Sequence, residues 1–104
     1  MARYVLVEIY PEDHVDTIIQ EVISTFKKIL GLRIIRGYLR VVKKKGNRVV
    51  FKVSTNLLPY LRACTILIKQ INDSRVIVLT VRISGTIRKI CAQLDSIPKL
   101  LTKV

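Results

Sequence analysis

The hydrophobic period of this chain switches between two and three-to-four several times, and the order of the switches leaves few folds open. Arg3 to Ile9 alternates as a strand does, with Val5, Val7 and Ile9 on one side and Tyr4, Leu6 and Glu8 on the other. Pro11 stops it, and Val15, Ile18, Ile19, Val22, Ile23, Phe26, Ile29 and Leu30 then recur at helical spacing. Glu12, Asp13 and Asp16 stand where that helix begins, which suits the positive end of its dipole, and Gly31 is expected to end it. A strand over roughly 34–44, a turn at Lys45-Gly46-Asn47 and a strand from Arg48 to Val53 read as an antiparallel hairpin. Ser54 and Thr55 are candidate N-caps of a second helix with the stripe Leu57, Leu61, Cys64, Ile68 and Ile71, and Pro59 lies early enough in it to be tolerated. Asn72 and Asp73 turn the chain into a fourth strand, Arg75 to Ile83, rich in β-branched residues. Ser84, Gly85 and Thr86 break that strand and cap a short third helix carrying Ile87, Ile90, Cys91 and Leu94, with Pro98 beyond it.

The order β-α-β-β-α-β plus a C-terminal helix predicts an α+β fold, a ferredoxin-like or RNA-recognition-motif-like antiparallel sheet with both main helices on one face. There is no repeat, linker or low-complexity stretch, so residues 1–104 read as one domain, short enough to lean on partners for part of its stability. Facing away from the helices would be Tyr4, Leu6 and Glu8; Arg36, Tyr38, Arg40 and Val42; Arg48, Val50 and Lys52; and Val76, Val78, Thr80 and Arg82. A face left to water alternates more cleanly to polar residues, so this one is expected to be covered, by RNA, by another protein or by the third helix.

Charge narrows the partners. Nineteen Lys and Arg against seven Asp and Glu give +12, beyond what solubility needs, and point to a polyanion such as nucleic acid or an acidic membrane surface. Residues 1–21 hold one cation, Arg3, and five carboxylates, whereas the rest of the chain holds 18 cations and two carboxylates. No apolar run approaches the length of about 18 residues that spans a membrane, and no secretory pattern opens the chain, so a cytoplasmic location is expected. Cys64 and Cys91 fall inside apolar patterns without metal-ligand spacing and read as reduced core residues, a disulfide between them being the lesser alternative.

Catalytic constellations are poor. His14 is the single histidine and stands among acidic residues at a helix start, as a surface or capping residue does and a general base does not. No glycine-rich phosphate loop, zinc-ligand pattern or nucleophile motif is present, so no catalytic residue, metal site or bound cofactor is expected. An acylphosphatase-like enzyme on this topology needs Arg and Asn in an anion-holding loop after the first strand, where this chain has Pro11-Glu12-Asp13. Binding signals are stronger. Lys43, Lys44, Lys45 and Arg48 gather around one hairpin tip, and Arg36, Arg40, Lys52 and Arg82 extend the cations across the sheet face, as a phosphate-binding surface requires. An RNA recognition motif places stacking aromatics behind Lys or Arg and Gly in its central strand. Here Lys45-Gly46 is followed by Asn47-Arg48-Val49-Val50-Phe51, so phosphate and shape contacts to folded RNA are expected rather than base stacking.

Two stretches carry a resemblance. Arg3-Tyr4-Val5-Leu6-Val7-Glu8-Ile9 resembles the opening of archaeal ribonuclease P protein component 2, a small-subunit family shared with eukaryal ribonuclease P and MRP. Val81-Arg82-Ile83-Ser84-Gly85-Thr86-Ile87-Arg88-Lys89 is similar to that family's strand-to-helix signature. The resemblance implies a non-catalytic subunit that pairs with the barrel-shaped protein component 3 and supports ribonuclease P RNA. That RNA uses magnesium to remove the 5′ leader of precursor tRNA, so the tRNA is met only indirectly. Ser84, Gly85, Thr86, Arg88 and Lys89 carry over as RNA contacts: Gly85 would allow a sharp turn or close approach to phosphate, and the helix amides could hold an anion, a plain helix cap being the other reading. The acidic Glu12, Asp13 and Asp16 would repel RNA and suit a protein partner, as would the aliphatic Leu6, Val50, Val76 and Val78 of the sheet face. The competing reading is a protein-interaction or dimeric regulatory ferredoxin-like module, a homodimer through that face without RNA function.

Overall fold

The computed structural model describes residues 1–33, 37–71 and 73–96. Its centre is a four-stranded antiparallel sheet in the order β2-β3-β1-β6, built from β1 (Ala2–Tyr10), β2 (Leu39–Lys45), β3 (Arg48–Ser54) and β6 (Ile77–Ser84). Helices α1 (Val15–Arg33) and α2 (Leu58–Leu67) provide the two crossovers, and α3 (Ile87–Ser96) follows the last strand. This is the expected α+β, ferredoxin-like arrangement. A short hairpin of β4 (Gln70–Ile71) and β5 (Ser74–Arg75), not foreseen from sequence, precedes β6 and delays its start to Ile77. Gly31 does not end α1; it lies inside the helix, where a Cβ would meet nothing. Arg36, expected on the basic face, and the predicted strand start at 34 lie outside the described residues.

One face of the sheet holds the main core. Val5, Val7, Ile9, Val49, Phe51 and Val53 project from the strands against Ile18, Val22 and Phe26 of α1 and Leu61 and Cys64 of α2. Val76 and Val78 join this cluster, which corrects their expected place on the opposite face. The cause is a register shift: Leu6 pairs with Arg82, but Val7 pairs with Thr80, so one extra residue stands in β6 and reverses the alternation counted back from Arg82. Val78 consequently lies opposite Ile9 and points with it towards the helices.

The other face is covered at its centre by α3, one of the three covers the sequence left open. Leu6, Val50 and Val81 meet Ile90 and Leu94 there, with Leu6, Val50 and Ile90 fully buried. Each such side chain contributes roughly 1.5–3 kcal/mol of transfer free energy. Leu6 and Val50, expected to meet a protein partner, are turned to this internal contact instead.

A charged pair lies in the same layer. Glu8 and Arg48 are directly opposite across β1 and β3, and both are buried. Arg48 Nη2 donates to Glu8 Oε2 at 3.2 Å and Nη1 donates to the Leu94 carbonyl at 2.6 Å, while the Tyr10 hydroxyl donates to Glu8 Oε1. The last carbonyls of a helix lack intrahelical donors, so this guanidinium both neutralises a buried carboxylate and caps α3. Arg48 is thus an internal residue, a correction to its assignment among the RNA-binding cations.

The two cysteines are free thiols on opposite sides of the sheet, Cys64 on α2 and Cys91 on α3. Burial pushes the Cys64 thiol from 9.0 up to about 11, because a thiolate there would lose its hydration. A thiol-alkylating reagent at about pH 8 is therefore expected to modify half-buried Cys91 well before Cys64, equal rates in the native chain being the contrary result. Since the folded state favours the neutral thiol, its contribution to stability is complete below pH 9.0 and is lost as the pH rises through about 11.

Candidate nucleic-acid interface

Helix α3 leaves one end of the sheet face uncovered, and register sets what appears there. Tyr4 pairs with Lys52 and with Ser84, and Lys52 pairs with Arg40, so Arg40, Lys52, Tyr4 and Ser84 form one row across all four strands. Tyr38 stands beside the row. Its amide donates to Ser54 Oγ at 2.9 Å and its carbonyl accepts from the Ser54 amide at 3.1 Å. Gly37 permits that approach, since a Cβ there would lie 2.2 Å from Cδ1 of Leu57, a fully buried side chain with nowhere to move.

Cations and rings meet on this end. The Arg40 guanidinium lies over the Tyr38 ring at 4.8 Å, and the Lys52 ammonium is 5.7 Å from the Tyr4 ring centre and 5.9 Å from that of Tyr38. Tyr4, Tyr38, Lys52, Ser54, Asn56 and Gly85 line a cleft of about 540 Å³ between them. Arg82 follows in the next row opposite Leu6, and Arg88 and Lys89 lie exposed on the first turns of α3. None of Arg40, Lys52, Arg82, Arg88 and Lys89 forms an ion pair with a carboxylate among the described residues.

The Ser84-Gly85-Thr86 turn is a simpler object than expected. The Thr86 amide donates to Ser84 Oγ at 3.2 Å, a local serine turn that leads into α3. Gly85 does not have a positive φ, and a Cβ on it would touch only the flexible end of Arg3, at 3.0 Å. The turn therefore does not demand glycine.

The lysine run is divided rather than gathered. A register shift between Val41 and Lys43 sets Lys43 opposite Val50 and Lys45 opposite Arg48, on the α3 side, whereas Lys44 lies opposite Val49 and reaches Asp16 on α1 at 2.5 Å. With Arg48 internal, the four-cation hairpin tip expected from sequence does not form. The turn itself has the predicted chemistry: Gly46 adopts φ +57°, and Asn47 is buried with Nδ2 donating to the Ile9 carbonyl at 3.1 Å. Glu12, Asp13 and Asp16 are exposed at the start of α1, His14 being 3.8 Å from Asp13. Among the described residues no group of three or more His, Cys, Asp or Glu could hold a metal, and no helix is long and apolar enough to cross a membrane.

Sequence reasoning placed Tyr4 and Tyr38 on this face but not in the site. The available signal was the two-residue spacing of Tyr38 from Arg40; the opposition of Tyr4 to Lys52 emerges only once the β1–β3 register is known.

A model of the Rpp14/Pop5 family matches residues 3–94. No curated protein sequence matches the chain. Among solved structures, a chain from the cryo-EM structure of yeast ribonuclease MRP superposes with a TM-score of 0.63 at 11% identity, covering 91% of this chain and 92% of that one. At that identity the likeness speaks for the fold, and the family match, from the first strand to the buried Leu94 of α3, speaks for descent. The chain belongs to the Rpp14/Pop5 family of ribonuclease P and MRP protein subunits.

Proposed function

We propose that this chain is a non-catalytic, RNA-binding subunit of an archaeal-type ribonuclease P, stabilising the catalytic RNA that removes the 5′ leader from precursor tRNA. The observation that carries the reading is the set of cations, exposed Arg40, Arg82, Arg88 and Lys89 with half-buried Lys52, that lack carboxylate partners among the described residues, on the side of the sheet opposite α1 and α2. Cations held by strands and a helix can meet successive phosphates and release their counterions, which lowers the repulsion that opposes a compact RNA. Magnesium serves the RNA in this scheme and the chain supplies no reacting group. Glu12, Asp13 and Asp16 repel phosphate and fit a protein partner, for which the barrel-shaped component 3 is proposed.

The test is precursor-tRNA cleavage by ribonuclease P RNA and component 3 at limiting magnesium, with and without this chain. Stimulation that depends on the chain is the expected result. No stimulation, beside an active component 2 from another source, would remove the reading.

A further inference from the structure

Phosphates alone do not call for the two tyrosines at the uncovered end of the sheet. Both residues are held at the backbone: Tyr4 belongs to a central strand, and the main chain of Tyr38 exchanges two hydrogen bonds with Ser54, next to Gly37 packed against buried Leu57. Tyr38 is nonetheless 38% exposed, and the cleft between the rings, at about 540 Å³, falls within the size range of small-molecule sites. A tyrosine on an ordered backbone has only two side-chain torsions to lose on binding a flat ligand.

Taking the ribonucleoprotein reading as its basis, we infer that this cleft receives an unpaired RNA nucleobase, stacked on a tyrosine, while Lys52 and Arg40 turn to the phosphates beside it. The cations over the rings mark π-faces that a flat base can also use. A guanidinium or ammonium over an exposed ring is held weakly and has a stronger partner in phosphate once a nucleotide arrives. The Lys52 ammonium lies near both ring centres, so one movement of its flexible side chain would free both and bring its charge to the backbone. A base in a duplex cannot use such a face, since its own neighbours cover it; bases in loops, bulges and single strands can. Every base has a π-face, so the site is tolerant of sequence. An RNA recognition motif draws its aromatics from the central strands. Here β1 supplies Tyr4, the segment before β2 supplies Tyr38, and β3 gives Lys52 where a third ring would stand.

The experiment compares binding of the full chain to short labelled oligouridylate and oligoadenylate with binding to a blunt RNA duplex of equal length. Tyr38→Leu keeps apolar bulk and removes the ring; it is expected to weaken single-strand binding about tenfold and to leave the duplex and the salt dependence essentially unchanged. Tyr38→Phe should behave as the native chain. With four tyrosines and no tryptophan, the native chain should also show quenched tyrosine emission on binding the single strands. Equal loss on both probes, or no loss in Tyr38→Leu and Tyr4→Leu chains that remain folded by circular dichroism, overturns the stacking site while chain-dependent cleavage stimulation keeps the ribonucleoprotein reading. Normal single-strand binding combined with lost assembly with component 3 would hand the cleft to a protein and overturn it too. A chain that binds no RNA and gives no stimulation overturns both.

Discussion

Replacing Glu8 by alanine is expected to remove about 3–5 kcal/mol of stability, the usual cost of leaving one partner of a buried ion pair uncompensated. Domains of this size have only about 5–15 kcal/mol in total, so the variant should sit at the edge of unfolding. The cost arises in two places. Arg48 loses the carboxylate that neutralises it, and Tyr10 loses the acceptor of its hydroxyl. Arg48→Ala should be equally severe and in addition leaves the Leu94 carbonyl without the donor that ties down α3. The distinguishing measurement is the double variant E8L/R48M. Apolar residues of similar volume can replace a buried pair at little cost, so in urea unfolding it should be more stable than either single substitution. Single variants that each lose under about 1 kcal/mol would place the pair in the class of exposed bridges. Lys44→Ala is the natural comparison, because its bridge to Asp16 is largely exposed and should be worth well under about 1 kcal/mol.

The second large effect is on RNA. Changing Arg82, Arg88 and Lys89 together to alanine should reduce affinity for ribonuclease P RNA on the order of a hundredfold at low salt, each charged hydrogen bond to phosphate being a strong one. It should also flatten the dependence of log K on log salt by roughly 0.7–0.9 for each phosphate that is no longer neutralised. These residues are exposed and lie outside both cores, so the melting temperature should barely move. The corresponding change of Lys43, Lys44 and Lys45 should cost less, since Lys44 is engaged with Asp16 and points to the α1 side. A larger loss from the lysine run than from the α3 rim would move the RNA path to β2.

The element order was legible because periodicity, Pro11, the Lys45-Gly46-Asn47 turn and the Ser84-Gly85-Thr86 break all agreed, and local consistency of that kind is what specifies a fold. What failed was parity. Val76 and Val78 went to the wrong face because a single bulged residue in β6 reverses every side chain beyond it, and nothing in a β-branched run marks where a bulge falls. Arg48 was misread for a related reason. A cation at a hairpin base looks solvated until the strand pairing sets Glu8 opposite it and α3 closes over both. The candidate interface was read through its charges, which composition advertises, while Tyr4 joined it only through pairing with Lys52 across strands far apart in sequence and Tyr38 only through its place beside Arg40.

The outer position of β2 has one more consequence. Among the described strands it is an edge, with Arg40, Lys43, Lys44 and Lys45 exposed along it. An unpaired edge is a template for adding a strand from another copy, and lysines on it are a common protection, since two such edges repel. The cations that make β2 attractive to a polyanion thus also keep free copies of the chain apart. Neutral or apolar residues in the lysine run would expose the sheet to edge-to-edge growth, whereas glutamates there would reverse the sign of the charge and keep the guard.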